Sequence, residues 1–376
     1  MSTIASLPSY SLSFQSLGTK TPVGFSQVSG LTYSGSGDTY YGISNESAAK
    51  FYTIKIDVTG NTFNSVTKVG TNTTLKDSGG TALSNKIDAE GIALSGSNIF
   101  VSTEGNYTPL NPFAFDNSVL TSPANLFIRR FNIATGNQDT AAGNDLTLAS
   151  RYTTSTTTTG LRNNLAFESL TISPDQSRLF SAVEAPLKED QALATLQTSK
   201  DLIRILRFNL VSGIFTAGEE YLYETEMGFG LADLLAIDNN ILIALERKAD
   251  ISGSITGIGV FELSIAGATD ISANTGLTAS GTSGITKVQK TSITFDIPLS
   301  PSINYEGLTF GETLADGRPT IFFVSDNNLD ENAVTNFAAY AVVPFDFEPS
   351  LGFLALGSLY LGKKILEKNK KSKKEL

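Results

Sequence analysis

The sequence contains no histidine and no cysteine. Without a thiol, disulfides and thiolate metal sites are excluded. Without an imidazole, a Ser-His-Asp triad, a Cys-His pair, a histidine zinc site and a histidine phosphatase mechanism are also excluded. Acid–base chemistry therefore falls to carboxylates, lysine, tyrosine or a metal-activated water. No G-x-S-x-G motif is present, and a Ser–Lys dyad is the only familiar arrangement left for a serine nucleophile, so we discount that chemistry.

Positive charge is scarce outside the C-terminus. The net charge is −10, but the residues from Lys363 onward include seven Lys and two Glu, a contribution of +5. Residues 1–362 therefore carry about −15 (−10 minus +5). An acidic body repels phosphates, so we expect no nucleic-acid partner. Cations, or anions bridged by cations, are better suited to it.

Long amphipathic helix patterns are also scarce, and short apolar segments alternate with turn residues, which is typical of an all-β protein. Five of these segments resemble one another. Each combines a small or acidic start, an apolar strand, a polar turn, a second apolar strand and a terminal acid. They span 28–46, 88–104, 167–184, 230–246 and 305–326. Their spacing of roughly 60 to 80 residues suits four-stranded propeller blades.

A second pair of strands follows four of the five hairpins. "KFYTIKIDVTG" follows the first and "LIRILRFNLVSG" the third, each ending in a glycine turn. After the fifth hairpin only "NFAAYAVVPF" remains, and the opening "YSLSFQSLG" supplies the missing strand. This closure removes sheet edges that invite aggregation. The sequence predicts a β-propeller of five four-stranded blades over residues 1–345, with six blades or a sandwich of unrelated hairpins as alternatives.

Acids recur at the two ends of these hairpins. The start and end of an antiparallel hairpin lie at the same end of its sheet. This pairs Glu90 with Glu104, Glu168 with Glu184, Asp233 with Glu246, and Glu306 with Asp326. Glu46 has no acidic partner, because Ser29 and Gly30 stand at the entrance of its hairpin. If the hairpins form the inner strands of successive blades, the acids gather around one mouth of the ring.

Acids brought together in this way need a compensating cation. Like charges raise one another's pKa and destabilise a fold. Oxygen ligands without His or Cys favour a hard cation, so the sequence predicts Ca²⁺. The predicted ligands are Glu90, Glu104, Glu168, Glu184, Glu306 and Asp326, with Asn106, Asn304, Asn327 and Asn328 as neutral oxygens. The alternative is that the acids only cap turns. No catalytic residue is identified, and no arginine is assigned a role.

The same residues carry a family resemblance. "DAEGIAL…IFVSTEG", "FESLTISPDQSRLFSAVEAPL" and "NYEGLTF…DGRPTIFFVSDNN" are similar to blocks of the phytase-like family, labelled "esterase-like activity of phytase". The resemblance covers roughly residues 25–345 and implies a propeller with hydrolase activity on phosphate or carboxylic esters. This sequence departs from the pattern at two places. Asn45 and Glu46 stand where an acidic pair is expected after Ser44, and Ser169 replaces a glycine.

The last residues, 346–376, change character. Leu351 to Gly362 is uncharged and apolar but shorter than the roughly 20 residues of a membrane span. Pro344, Phe345, Phe347 and Pro349 resemble the start of the cyanobacterial PEP-CTERM sorting signal. The resemblance implies a short apolar helix, export and processing by an exosortase-type enzyme. An amphipathic membrane-surface helix is the alternative. The first twenty residues show neither the basic nor the apolar part of a signal peptide.

Together these features predict a metal-assisted, phytase-like hydrolase that acts on a small-molecule phosphate or carboxylic ester. The tail predicts that it is exported, either to the cell envelope or outside the cell, and associated with the membrane through its C-terminus. The alternative is a non-catalytic extracellular propeller that binds a partner or serves a structural role.

Overall fold

The computed structural model describes residues 12–344 with short gaps, at 47–48, 84–86, 105, 109–118, 123–124, 157, 193–198, 251–253, 278, 297 and 328–333. The internal contacts of Ser11–Val343 make it one compact unit. The predicted tail, 346–376, lies outside the described residues, so its apolar helix and sorting role stay predictions.

The N-terminal half of the chain forms two blades after a first strand, β1 (Leu12–Lys20), which belongs to the last blade. Blade 1 consists of the antiparallel strands β2 (Val28–Tyr33), β3 (Thr39–Ser44), β4 (Lys50–Asp57) and β5 (Ser65–Thr74). Blade 2 begins with β6 (Ala89–Ser95) and β7 (Asn98–Thr103). A separate hairpin follows, β8 (Asn106–Thr108) and β9 (Val119–Ser122), and β10 (Ile128–Asn132) is the third strand of the blade. Among the described residues, isolated bridges to Gln138 and Asp145 stand where a fourth strand was predicted.

The remaining three blades follow in chain order. Blade 3 consists of β11 (Phe167–Ile172), β12 (Arg178–Val183), β13 (Lys200–Val211) and β14 (Ile214–Met227). Blade 4 consists of β15 (Gly230–Ala236), β16 (Ile241–Ala249), β17 (Ile255–Ser264) and β18 (Gln289–Ser292). After β19 (Thr294–Phe295), blade 5 contains β20 (Tyr305–Phe310), β21 (Thr320–Ser325) and β22 (Phe337–Pro344). Short 3-10 turns occupy Thr59–Asn61, Ser150–Tyr152 and Ala279–Thr282.

The five sheets form a closed ring. The inner strands contact one another in the order β2, β6, β11, β15, β20 and back to β2. In blade 5 the strand order is β20, β21, β22, β1, β19, so the N-terminal strand joins the C-terminal blade. Phe14 of β1 is fully buried there, and its ring lies 5.3 Å from Phe295 and 6.1 Å from Tyr340. The all-β, five-bladed prediction is confirmed, together with closure by the opening strand.

The inner strands are apolar because a neighbouring blade covers each of their faces. In β2, β11 and β20 the first five residues are all buried, whereas the outermost strand of blade 1, β5, is mostly exposed. Threonine hydroxyls also join neighbouring blades by accepting hydrogen bonds from backbone N–H groups. The pairs are Thr32 with Leu94 (3.2 Å), Thr171 with Ala236 (2.9 Å) and Thr309 with Tyr33 (3.1 Å).

Each inner strand begins with a β-bulge at the same end of the ring, here called the mouth. A bulge inserts an extra residue and turns its side chain out of the regular alternation. The register shifts fall at Val28/Gly30, Ala89/Ile92, Phe167/Ser169, Leu231/Asp233 and Tyr305/Gly307. They enclose Ser29, Glu90, Glu168, Ala232 and Glu306 in blades 1 to 5. Three blades therefore present an acid at this position, and two present a small residue.

Candidate functional site

The structure brings the six predicted acids together at the mouth. Carboxylate oxygens of Glu104, Glu168 and Glu184 lie within 4.8 Å of one another, and so do those of Asp88, Glu90 and Glu104. Glu104 belongs to both groups. Glu306 and Asp326 lie near enough to these groups to act on them electrostatically. The charge of Glu306 raises the pKa of Glu90, and the charge of Asp326 raises the pKa values of Asp88 and Glu306. All six are at most 8% exposed.

Asp88 is a member of the site that the sequence prediction missed. It precedes Glu90 by two residues in "DAEGIAL", and residues two apart in an extended chain point the same way. The predicted hairpin, 88–104, already begins at Asp88, so this spacing was a usable signal, but only Glu90 was paired with Glu104. Seven carboxyl groups therefore meet at the mouth.

Arg247 is the second residue that the sequence prediction missed, and it lies among these acids. Its Nε and Nη2 donate to Glu184 Oε1 at 3.2 and 3.1 Å, and Nη2 also reaches Glu168 Oε1 at 3.4 Å. Its Nη1 donates to Asn304 Oδ1 at 2.7 Å and to Glu306 Oε1. Burial alone would lower the pKa of Arg247, but the charges of Glu184, Glu306 and Glu168 raise it well above its usual value. The guanidinium is therefore a permanent cation shared by three acids.

The prediction that Asp233 and Glu246 form an acidic pair in blade 4 is wrong. The register places Leu231 opposite Glu246 and Asp233 opposite Leu245, so the two acids do not face each other. Strand β16 continues past Glu246 to Ala249, and successive side chains of a strand point to opposite sides. Glu246 therefore points away from the mouth. There its carboxylate accepts hydrogen bonds from the Tyr223 hydroxyl and from Lys290 Nζ (2.7 Å). Arg247, the next residue, takes the place at the mouth.

Asp233 instead holds neighbouring inner strands together. Its carboxylate accepts the N–H of Leu308 in blade 5 and of Leu234, both at 2.8 Å. In blades 1, 2 and 5 the corresponding residues, which follow the bulge, are glycines. A Cβ on Gly30 would lie 2.5 Å from Glu90 O, and one on Gly307 2.9 Å from Gly30 Cα. The glycine of the "EGL" blocks thus permits the close approach of inner strands. In blade 3 the position is Ser169, whose Oγ accepts the N–H of Ala182 at 2.9 Å.

Burial sets the protonation of the mouth. It raises the pKa of Glu90, Glu104 and Glu168 well above the usual value, and the neighbouring acids raise it further. Arg247 opposes this rise at Glu104 and Glu168. Burial also raises the pKa of Glu306 to about 8, against the opposing charge of Arg247. The acids therefore repel one another strongly when they are ionised without a further cation.

One side of the mouth has no such cation within the described part of the chain. Asp88, Glu90 and Glu104 form no ion pair there with any lysine or arginine. Glu90 Oε1 accepts from Asn45 Nδ2 (3.2 Å), and Glu104 Oε1 accepts from the N–H of Ala166 (2.5 Å). These bonds involve neutral donors, so no cation in the described part of the chain pairs directly with the charge that these acids carry when ionised, and Arg247 acts on Glu104 only from beyond ion-pair distance.

Three buried oxygens near these acids have no hydrogen-bond partner among the described residues, namely Ser29 Oγ, Asn45 Oδ1 and Glu306 Oε2. Ser29 stands at the bulge position of blade 1, and Asn45 is bonded to Glu90. Unsatisfied buried oxygens are costly and need a ligand. Oxygen donors of mixed charge, with no His or Cys among them, fit a hard divalent cation. The buried acidic groups of the mouth are thus suited to hold a metal ion.

The four asparagines predicted as neutral ligands either bond protein groups or have side chains outside the described residues. Asn304 bonds Arg247 through Oδ1 and Glu306 through Nδ2 (2.7 Å), and Asn327 Oδ1 accepts the N–H of Gln27 (2.8 Å). The side chain of Asn106 and all of Asn328 lie outside the described residues. Asn45, which was noted only as a departure from the family pattern, is the asparagine with a buried oxygen to offer.

A buried serine–lysine pair also occurs, away from these acids. Lys188 Nζ donates to Ser155 Oγ at 2.9 Å and to Thr156 O at 2.6 Å. The Ser155 hydroxyl in turn donates to Leu161 O at 2.9 Å. Ser155 and Lys188 are only 7% and 9% exposed. Both side chains also bond backbone carbonyls, so the pair holds this loop in place.

The raised pKa values predict that, with divalent cations removed, the free energy of unfolding falls as the pH rises. Between the usual carboxyl pKa of about 4.5 and the value of about 8 for Glu306, the folded state holds protons that the unfolded state has released. This contribution is complete below the unfolded pKa and is lost as the pH passes the folded one, at about 1.4 kcal/mol per pKa unit. Urea unfolding in a chelator from about pH 5 to about pH 8.5 measures it.

Glu90→Gln should flatten this decline, because it removes one of the groups whose pKa is raised. Glu224→Gln, on the outer strand β14, is the control and should leave the slope unchanged. A stability that stays level or rises over this range would show that the acids are not crowded as described.

No helix in the described part of the chain is both long and apolar enough to cross a membrane.

The overall fold resembles solved structures only distantly. The hydrazine synthase of Kuenenia stuttgartiensis is 14% identical, with a TM-score of 0.34 over 85% of this chain and 66% of that one. The tail fibre of Staphylococcus aureus phage P68 is 8% identical, with 0.37 over 88% and 52%. An exo-1,5-α-L-arabinanase from a bovine ruminal metagenomic library is 8% identical, with 0.40 over 86% and 95%. The chain thus spans less than two thirds of the first two, and scores this low carry no argument about function.

Sequence comparison is more informative about the family. No curated protein matches the chain. The model of the phytase-like family, described as "esterase-like activity of phytase", matches residues 23–329. This range includes all seven acids of the mouth and Arg247, and it covers more than half of the sequence. The protein therefore belongs to the phytase-like family.

Proposed function

We propose that the protein is a hydrolase of phosphate or carboxylic esters that works with a divalent cation, Ca²⁺, held at the mouth. The observation that carries this proposal is the cluster of Asp88, Glu90 and Glu104, which no described cation pairs with, beside oxygens that lack partners in the described part of the chain. Membership of the phytase-like family supports a hydrolytic activity of this kind. Without histidine and cysteine, acid–base chemistry falls to carboxylates, lysine, tyrosine or a metal-activated water, and carboxylates are the groups gathered at the mouth.

The proposed Ca²⁺ ligands are fewer than the six acids predicted from the sequence. Of the six acids predicted as ligands, Glu168, Glu184 and Glu306 already share the guanidinium of Arg247. Glu90 and Glu104 do not, and with Asp88 they supply the charge that a cation needs. Asn45 Oδ1 and Ser29 Oγ would add neutral oxygens from blade 1. Asp326, whose charge acts on Asp88, would strengthen the attraction from the same side.

A hard divalent cation, when bound, polarises the oxygens of an ester and lowers the pKa of a water that it holds. Among the described residues of the mouth, Glu306 is best placed to accept a proton. Its Oε1 is held by Asn304 and Arg247, which fixes the carboxylate, while its buried Oε2 has no partner within the residues that the structure describes. A pKa of about 8 lies close to neutral pH, where a general acid or base is most effective.

The charge of the protein limits its substrates. A body of about −15 repels a polyanion such as phytate, and a cation at the mouth would reverse the field locally and bridge to phosphate oxygens. The proposed partner is a small-molecule ester or phosphoester, and not a nucleic acid. Turnover of an anionic ester should therefore depend on the cation through binding as well as through chemistry.

The cation proposal predicts that Ca²⁺ raises the melting temperature and that a chelator reverses the rise. A ligand that binds only the folded state stabilises it by about 2.7 kcal/mol at a hundredfold excess over Kd. For a domain of this size that corresponds to a few degrees. Thermal melting with and without millimolar Ca²⁺ measures the shift.

Glu90→Gln and Glu104→Gln should each blunt the Ca²⁺ shift, because they remove charge from the proposed ligands. Glu246→Gln is the matched control, since Glu246 precedes Arg247 on β16 but faces Tyr223 and Lys290. Its melting point can change, but its Ca²⁺ shift should match that of the unaltered protein. An unmoved melting point in the unaltered protein, or equal shifts in all three variants, would falsify the site.

The catalytic proposal predicts Ca²⁺-dependent turnover of at least one ester class. Phosphomonoesters, phytate and short acyl esters are assayed with Ca²⁺ and with a chelator. Glu306→Gln should lower kcat by about 10²- to 10⁴-fold, the usual contribution of a general base, while the Ca²⁺ melting shift remains. Turnover that survives this change would remove Glu306 from the mechanism. Ca²⁺ binding without turnover of any ester would instead favour the alternative, a binding propeller.

We also propose, from the sequence of the tail alone, that residues 346–376 direct export and are processed by an exosortase-type enzyme, leaving the protein at the cell envelope or outside the cell, associated with the membrane. Mass spectrometry of the protein recovered from the envelope fraction should find the basic end removed. An intact Lys-rich terminus on a cytosolic protein would contradict this proposal.

A further inference from the structure

Arg247 occupies a place among the acids that resembles an ion site. Its guanidinium has five N–H groups, and the five contacts described above engage them with Glu168, Glu184, Glu306 and Asn304. The side chain is only 12% exposed. A cation this deeply buried and fully coordinated by oxygens serves the same electrostatic purpose as a bound metal ion.

Two of the acids that bind Arg247, Glu168 and Glu184, also belong to a group that could hold an ion. Oxygens of Glu104, Glu168 and Glu184 lie within 4.8 Å of one another, which is close enough for a single ion to reach all three. A separate observation points to a missing ligand here. Glu306 is 6% exposed, its Oε1 binds the guanidinium, and its buried Oε2 has no partner among the described residues.

We propose that Glu104, Glu168 and Glu184 form a second divalent-cation site in which the guanidinium of Arg247 stands in place of the ion. The mouth then takes one divalent cation, on the side of Asp88 and Glu90, and loss of the guanidinium opens a second position. Glu104, which belongs to both groups, would be shared between the two ions. This inference rests on the proposed cation site, and it means that the proposed chemistry uses one metal ion and a fixed guanidinium.

Blade 4 shows why the substitution is possible. It is one of two blades without an acid at the bulge, where Ala232 stands, and Ala232 is buried and cannot bind an ion. Strand β16 continues to Ala249 and pairs with β17 over this length. This continuation places Arg247 at the mouth, so blade 4 contributes a cation where blades 2, 3 and 5 contribute acids. The guanidinium thus compensates the acids of blades 3 and 5 from a blade that contributes no acid of its own.

The test counts Ca²⁺ ions by isothermal titration and native mass spectrometry, with CaCl₂ as the probe. The unaltered protein should bind one ion at the mouth, Arg247→Met two and Arg247→Lys one, because lysine keeps the charge. Two ions in the unaltered protein would overturn the proposal, since Arg247 would then be displaced. One ion with unchanged affinity in Arg247→Met would overturn it as well.

One further variant keeps the test decisive if Arg247→Met fails to fold. Glu184→Gln in the otherwise unaltered protein should still bind one ion, with Kd within about threefold, because Glu184 serves the guanidinium and not the ion. Loss of that ion would overturn the proposal. If Arg247→Met folds, Arg247→Met with Glu184→Gln should return to one ion.

The result also separates this inference from the proposed function. No ion in the unaltered protein but one in Arg247→Met would remove the proposed cation site and leave the role of Arg247 standing. One ion in the unaltered protein and one in Arg247→Met would leave the proposed cation site standing and remove the proposed role of Arg247.

Discussion

Electrostatic repulsion among buried carboxylates is the constraint on which the rest of this structure depends. Seven acids meet at the mouth, and the inner strands approach so closely that three blades need glycine beside them. Burial in a low-dielectric setting makes each unpaired charge costly and raises its pKa. The fold retains these acids although protons and one guanidinium compensate them only in part. A site that is costly for stability in this way is typical of function.

The backbone creates this crowding through one repeated device. A β-bulge at the start of each inner strand turns one side chain toward the axis, and antiparallel pairing brings the end of the next strand to the same place. Because five blades repeat the device, small changes at equivalent positions give the mouth its asymmetry. Ser29 and Ala232 replace acids in blades 1 and 4, and Arg247 enters from blade 4. The uncompensated side, at Asp88, Glu90 and Glu104, follows from these substitutions.

Much of this arrangement was predictable from the sequence, because hairpin geometry is local. Two strands joined by a short turn must bring Glu168 and Glu184 to one end whatever the rest of the fold does, and the opening strand containing Phe14 was the obvious candidate to close the ring. The role of Arg247 was not predictable. It depends on whether β16 stops at Glu246 or continues to Ala249, which is decided by pairing with β17 and not by the hairpin itself. The same extension turned Glu246 away, and the bulge of β15 moved Asp233 to a glycine position.

The central claim is that the unbalanced side of the mouth holds a divalent cation. The most direct measurement is a crystal structure of the protein grown with millimolar Ca²⁺, with the ion located by its anomalous scattering. The account predicts one anomalous peak between Asp88, Glu90 and Glu104, with oxygen ligands at about 2.3–2.6 Å and Arg247 still bonded to Glu184. An empty mouth under these conditions, or a peak only at surface turns, would contradict it.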